Sequence, residues 1–139
     1  MLDSYRELID ELLGAPQAIR KMIALKAMTP EAARLVTEMR NRDGQVLDRL
    51  NIILRTPDPR LPELVAGDPA VPDSVDDLLT QTDSARGDLV SLLMNLTIKD
   101  WERPAVLGDE GETTLSEEVE RHVDFDEAQL ARIRAALGA

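Results

Sequence analysis

The sequence predicts an all-α fold, a four-helix bundle, on three observations. Four stretches place apolar residues at helical spacing, no stretch alternates apolar and polar residues over the length of a strand, and proline-rich or turn-rich segments separate the four stretches. At 139 residues one domain spanning 1–139 is the simplest organisation. A chain of that length buries roughly two-thirds of its unfolded surface, so it needs no disulfide or metal to hold a core.

In the first helix the apolar positions are Leu2, Tyr5, Leu8/Ile9 and Leu12/Leu13. Gly14-Ala15-Pro16 is expected to interrupt it, with Pro16 opening a shorter helix to Leu25. Thr29-Pro30-Glu31 starts the second helix: a capping hydroxyl, proline at the first position and an acid in the first turn. Its stripe is Ala32, Val36, Met39, Asp43, Val46/Leu47, Leu50 and Ile53/Leu54, and T-P-D-P stops it near Arg55. Thr56–Pro72 holds five prolines and one glycine, which makes it a long, stiffened crossover. Asp73 or Ser74 caps the third helix, with a stripe of Val75, Leu78/Leu79, Thr82, Ala85, Leu89, Leu92/Leu93 and Leu96. Thr97–Glu112 is irregular. Thr114-x-x-Glu117 forms a capping box for the fourth helix, whose stripe is Val119, Val123, Asp126, Leu130, Ile133 and Leu137, with Gly138 at its end. A short loop, a long crossover and a medium loop fit an up-down-down-up arrangement.

Composition narrows the function. Without cysteine there is no thiolate metal site and no cysteine nucleophile, and the chain agrees with a reducing compartment. No window approaches about 18 consecutive apolar residues, and M-L-D-S-Y-R-E-L carries acids where a signal peptide carries bases, so a cytoplasmic protein with no membrane partner is expected. A net charge of −11 repels phosphate backbones and three aromatic residues leave little for base stacking, so no nucleic-acid partner is expected. Ser84, Ser91, His122 and Asp83 supply the residue types of a hydrolytic triad without a G-x-S-x-G elbow, and Gly108-x-x-Gly111 reads as a turn.

The segment Ile98–Leu137 contains the turn D-W-E-R at 100–103 and the stretch G-E-T-T-L at 111–115, leading into the fourth helix. It resembles the last loop and helix of the DinB/YfiT-like family of helical bundles. Leu8–Ile23 is similar to that family's first helix, and Val46–Pro62 to the end of its second helix and its proline-rich exit. The resemblance implies an up-down-down-up bundle and a divalent metal held by three histidines, one on the second helix and two at i and i+4 on the fourth. It also implies thiol-dependent transferase chemistry in some members and pairing of bundles in many.

Carried over residue by residue, the three histidine positions fall on Glu38, Phe125 and Gln129. Phenylalanine cannot ligate, a carboxamide is a poor ligand for the softer divalent metals, and a water-activating site needs about three firm protein ligands. The expectation is a non-catalytic binding or assembly protein with no cofactor, holding an unidentified small molecule or a second copy of itself. The alternative is an enzyme with a site rebuilt around Glu38, His122, Asp126 and Gln129, loaded with zinc or nickel.

Other residues carry narrower expectations. His122 is a displaced ligand or general base on one reading, and a boundary histidine bonded to a neighbouring acid on the other. Asp43 and Asp126 stand on core stripes and need partners, for which Arg42, Arg49 and Arg121 are the candidates. Phe125 is expected to fill the space of a metal as packed core, so that truncation to alanine costs about 3–5 kcal/mol. Trp101 is expected to close one bundle end, and Met22, Met28, Met39 and Met94 to lie in or near the core. The doubled apolar positions Leu12/Leu13, Ile52/Ile53/Leu54 and Leu92/Leu93 predict a homodimer.

Overall fold

Side-chain caps set the helix boundaries in the computed structural model, which describes residues 2–108 and 111–138, with side chains from Ser4 onward. The side chain of Leu2 and the two residues inside Gly108-x-x-Gly111 lie outside the described residues. Helix α1 spans Leu2–Leu25. Helix α2 (Pro30–Arg55) opens on Thr29, whose hydroxyl accepts the Ala32 amide, and α3 (Val75–Met94) opens on Ser74 in the same way. A four-residue helix, α4 (Ile98–Trp101), is followed by strands β1 (Pro104–Val106) and β2 (Glu112–Thr114) and by α5 (Leu115–Leu137), the fourth long helix. Thr114 caps α5, while the Glu117 carboxylate accepts the Thr114 hydroxyl at 3.1 Å. Gly138 ends α5 at φ 72°, a left-handed conformation that glycine adopts without penalty.

Two expectations about the elements are corrected. The first helix is not interrupted: Gly14-Ala15-Pro16 lies inside a continuous α1. Proline lacks the N–H that would bond the carbonyl of Leu12, four residues back. That buried carbonyl instead receives Nη1 of Arg86 from α3, at 2.7 Å, so the bond lost within the helix is replaced from a neighbouring one. The second correction is the hairpin, where no strand was expected. Pro104, Ala105 and Val106 pair with Thr114, Thr113 and Glu112 in antiparallel register. Three residues are too few for period-two alternation to show in a sequence. The start of the crossover joins the hairpin, with Leu61 N–H donating to Val106 O at 2.8 Å and Val106 N–H to Pro59 O at 2.9 Å.

Helix directions follow from which ends share a core. One apolar cluster joins Tyr5 and Leu12 of α1 to Leu50 and Ile53 of α2, Leu89 and Leu93 of α3, and Leu115 and Val119 of α5. The other joins Ile19 and Met22 to Leu35, Leu78, Ile133 and Leu137. The starts of α1 and α5 therefore meet the ends of α2 and α3, which is the predicted up-down-down-up order. Each of α1 and α2 packs against both α3 and α5, so α1 and α2 occupy opposite corners. No helix among the described residues is long and apolar enough to cross a membrane.

The doubled apolar positions leave less surplus surface than their sequence suggests. Leu12, Ile53 and Leu93 are buried, and Ile52, Leu54 and Leu92 pack against the same cluster; Leu13 alone of the set is exposed. Met22 and Met39 are buried and Met28 packs on the second cluster, whereas Met94, expected near the core, is 69 % exposed as the last residue of α3.

The D-W-E-R turn has a plain physical content. Thr97 and Asp100 form a complete capping box for α4, and Arg103 Nε donates to Asp100 at 3.0 Å. The Thr97 amide, and after it Arg103, hold the Asp100 carboxyl below its ordinary pKa. That contribution is complete above the ordinary carboxylate range and fades as pH falls through the lowered value. Trp101 is 3 % exposed and stacks on Tyr5, with centroids 4.6 Å apart and planes at 3°, closing the bundle end as expected. Trp101→Ala should lower unfolding free energy by about 3–5 kcal/mol in urea denaturation, and a loss under about 1 kcal/mol would show that the indole does not hold this end.

A candidate ligand cavity beside a buried arginine clamp

A layer of charge separates the two apolar clusters. The Arg86 guanidinium lies at its centre, with Nε and Nη2 on Asp43 (3.1 and 2.9 Å), Nη2 and Nη1 on Asp126 (2.9 and 2.6 Å), and Nη1 also on the Leu12 carbonyl. All five N–H bonds have acceptors, on three other helices. Burial acts to lower the Arg86 pKa, but the hydrogen bonds and charges of Asp126 and Asp43 outweigh it and hold the group above the ordinary arginine value.

Both core aspartates therefore have a partner, and it is none of the three candidates. Arg49 bonds Glu118 at 2.8 Å in a buried pair, Arg121 lies 3.7 Å from Glu118 and donates to Thr113, and Arg42 meets no carboxylate among the described residues. Arg86 stands four residues after Thr82 and three before Leu89, squarely on the buried face of α3, while Ala85 is only half-buried.

His122 is 1 % exposed, with Nε2 at 2.7 Å from Asp43 Oδ1 and Nδ1 at 3.3 Å from Arg42 Nε. A guanidinium can only donate, so Nδ1 accepts and Nε2 carries the hydrogen towards Asp43. The acid partner is as expected on one reading, but the histidine is fully buried and not at a boundary. Asp126, 3 % exposed, is committed to Arg86. The four residues of the rebuilt site thus fall into two sets: His122 and Asp126 in the clamp, and Glu38 with Gln129 outside it. The Gln129 amide donates to Glu38 Oε2 at 2.9 Å and to the Leu35 carbonyl at 2.8 Å. Among the described residues no group of three His, Asp or Glu is arranged to hold a metal ion.

The positions assigned by resemblance do converge. Glu38 and Phe125 line one cavity of about 460 Å³, and Gln129 bonds Glu38 behind it. Its roof is the crossover, held to α2 by side chains. Gln45 exchanges two bonds with the Val65 backbone, at 2.7 and 2.8 Å, and the Asn41 amide donates to the Asp68 carbonyl at 2.7 Å. Gly67 permits this approach, because a Cβ there would lie 2.8 Å from Asn41 Cβ. A second cavity, about 540 Å³, is lined by Arg42, Arg49, Glu118 and Arg121, by the crossover from Leu61 to Leu64, and by Leu107. Arg42 and Leu64 belong to both.

Phe125 is a wall of the first cavity and also packs against the edge of the second apolar cluster, so it is core only in part. It is half-buried, with the Arg42 guanidinium 4.3 Å from its centroid and the His122 ring 6.1 Å away. Of the three family-equivalent positions only Glu38 is a charged oxygen donor, and it already accepts from Arg34 at 3.0 Å and from Gln129. The three firm ligands of the implied metal are not met by this donor set. Phe125→Ala should accordingly cost about 1–2 kcal/mol in urea denaturation, below the range for fully buried aromatics; a cost above about 3 kcal/mol would return Phe125 to the core.

No protein-family model matches the chain, and no curated protein matches it. Among solved structures it matches YfiT from Bacillus subtilis, described as "a probable metal-dependent hydrolase with an unusual four-helix bundle topology". The TM-score is 0.76 at 15 % sequence identity, with 99 % of this chain and 90 % of that chain covered. A likeness at that identity is a likeness of fold, and the chain has the DinB/YfiT-like four-helix-bundle fold.

Proposed function

We propose that this chain is a non-catalytic binding protein that takes a small molecule, without metal, in the cavity between α2, the crossover and Phe125. The observation that carries the reading is the state of the donors at the three positions where the resemblance implies histidines. Glu38 is held by Arg34 and Gln129, both amide hydrogens of Gln129 are in use, and Phe125 lies under a guanidinium. A divalent cation would enter beside two arginines with one neutralised carboxylate to receive it, which is unfavourable both in ligand number and in charge. Catalysis by the Asp43–His122 pair is disfavoured by burial, because neither side chain lines either of the two cavities. The reading departs from the hydrolase description of YfiT, which belongs to a chain with the same fold and different residues.

Titration calorimetry of the untagged chain with zinc and nickel should give no binding, and its thermal midpoint should be the same with and without a chelator. A ligand that binds the folded state raises apparent stability by RT ln(1 + [L]/Kd), so a tightly held metal would reveal itself as a lower midpoint on chelation. Replacing Glu38, Phe125 and Gln129 together by histidine should create zinc affinity, since the backbone holds the three positions close. Micromolar or tighter metal binding by the natural chain would contradict the reading.

A further inference from the structure

We propose that Arg42 is the anchor of an organic carboxylate, so that the ligand of this cavity is a small amphipathic acid. The inference rests on the cavity being a binding site and names the class of molecule it takes. Four arginines line the two cavities: Arg34, Arg42, Arg49 and Arg121. Arg34 pairs with Glu38, and Arg49 and Arg121 share Glu118. Arg42 has no carboxylate within salt-bridge distance among the described residues, although it stands in a chain with eleven negative charges in excess.

Its orientation is prepared. Nε–H donates to His122 Nδ1, His122 is held by Asp43, and the guanidinium carbon lies 4.3 Å from the Phe125 ring centroid. The Nη1 and Nη2 groups, the fork that grips a carboxylate with two parallel bonds, have no acceptor among the described residues. A side chain bonded through Nε and resting over an aromatic ring loses little freedom when the fork is filled. Burial lowers the Arg42 pKa; the attraction of Glu118 and Asp126 outweighs the repulsion of Arg49 and Arg121 but does not make up for the lost solvation. A carboxylate on the fork would replace hydrogen bonds that burial takes from water.

The rest of the first cavity sets the remainder of the ligand. Leu64, Val65, Pro69 and Phe125 supply an apolar lining for a hydrocarbon tail or ring, and Thr37, Asn41 and Gln45 add a few neutral polar groups. The glutamates on the two linings, Glu38, Glu63 and Glu118, number three against four arginines, so the linings themselves carry one positive charge in excess. One free planar fork suits a monocarboxylate; a phosphate dianion would need further free donors around it.

The test is titration calorimetry of the full natural chain with octanoate and benzoate, alongside octanol, benzyl alcohol and octyl phosphate. At least one carboxylate should bind at a single site and its alcohol should bind far more weakly. Arg42→Gln should weaken that carboxylate by roughly ten- to a hundredfold, the loss expected for a hydrogen bond to a charged group, and Arg42→Lys should keep part of it. Thermal melting of both variants checks that they fold. Alcohols binding as tightly as acids, or Arg42→Gln binding like the natural chain, would overturn the carboxylate assignment while leaving the cavity as a binding site. Tighter binding of octyl phosphate would replace carboxylate by phosphate. No binding of any of these probes would overturn the inference, and the zinc and nickel titrations judge the metal-free reading separately.

Discussion

A single buried guanidinium reaches all four long helices. Arg86 of α3 bonds Asp43 of α2, Asp126 of α5 and the Leu12 carbonyl of α1, at the level where the two apolar clusters give way to a polar layer. Desolvating three charges costs several kcal/mol per ion, and their attraction offsets this only when the geometry is complete. Here it is complete on the arginine side. The two carboxylates leave one negative charge beyond what Arg86 supplies, and the neutral His122 gives Asp43 a further hydrogen bond from Nε2–H. Such a layer fixes which helices are neighbours and at what height, because every other register leaves a charge buried alone. It also makes Pro16 tolerable inside α1, since the carbonyl that proline orphans is the one Arg86 reaches.

The clamp continues outward to the cavity. Asp43 holds His122, His122 holds Nε of Arg42, and Arg42 lies over Phe125, so a rigid layer ends in one oriented cation at a cavity wall. Gln45, Asn41 and Gly67 bring the crossover down as the opposite wall. Where the resemblance implies imidazoles around a metal, this chain has a hydrogen-bonded Arg34–Glu38–Gln129 set and an aromatic ring under a guanidinium.

Much of the fold is legible in the sequence because its signals are local. Thr29-Pro30, Ser74 and Thr114 cap where they stand, and the prolines of 56–72 exclude a helix whatever surrounds them. What could not be read depends on partners distant in sequence. Arg86 is one residue from Ala85 on a helix, and an apolar stripe favours the alanine; the two core aspartates called for a cation, but proximity in the pattern offered Arg42, Arg49 and Arg121 in its place. Pro16 breaks an isolated helix, and its retention depends on a donor seventy residues away. The β1–β2 pair is too short to leave a periodic trace. Phe125 looked like core by residue type, yet Val123 and Asp126 define the buried stripe and Phe125 falls at its edge. The convergence of Glu38 with Gln129 and Phe125 came through the resemblance alone, because nothing local to either helix marks them as neighbours.

The arrangement of the four helices depends on Arg86 and its carboxylates acting as one unit, and a double-mutant cycle measures that. Urea unfolding of the natural chain, Arg86→Met, Asp126→Ala and the double variant gives the coupling between the two positions. Each single change should cost about 3–5 kcal/mol by leaving buried charge without its partner, and the double variant should cost less than the sum by at least about 2 kcal/mol. Additivity within about 0.5 kcal/mol would mean the two residues do not feel each other, and the clamp could not be what sets the arrangement of the bundle.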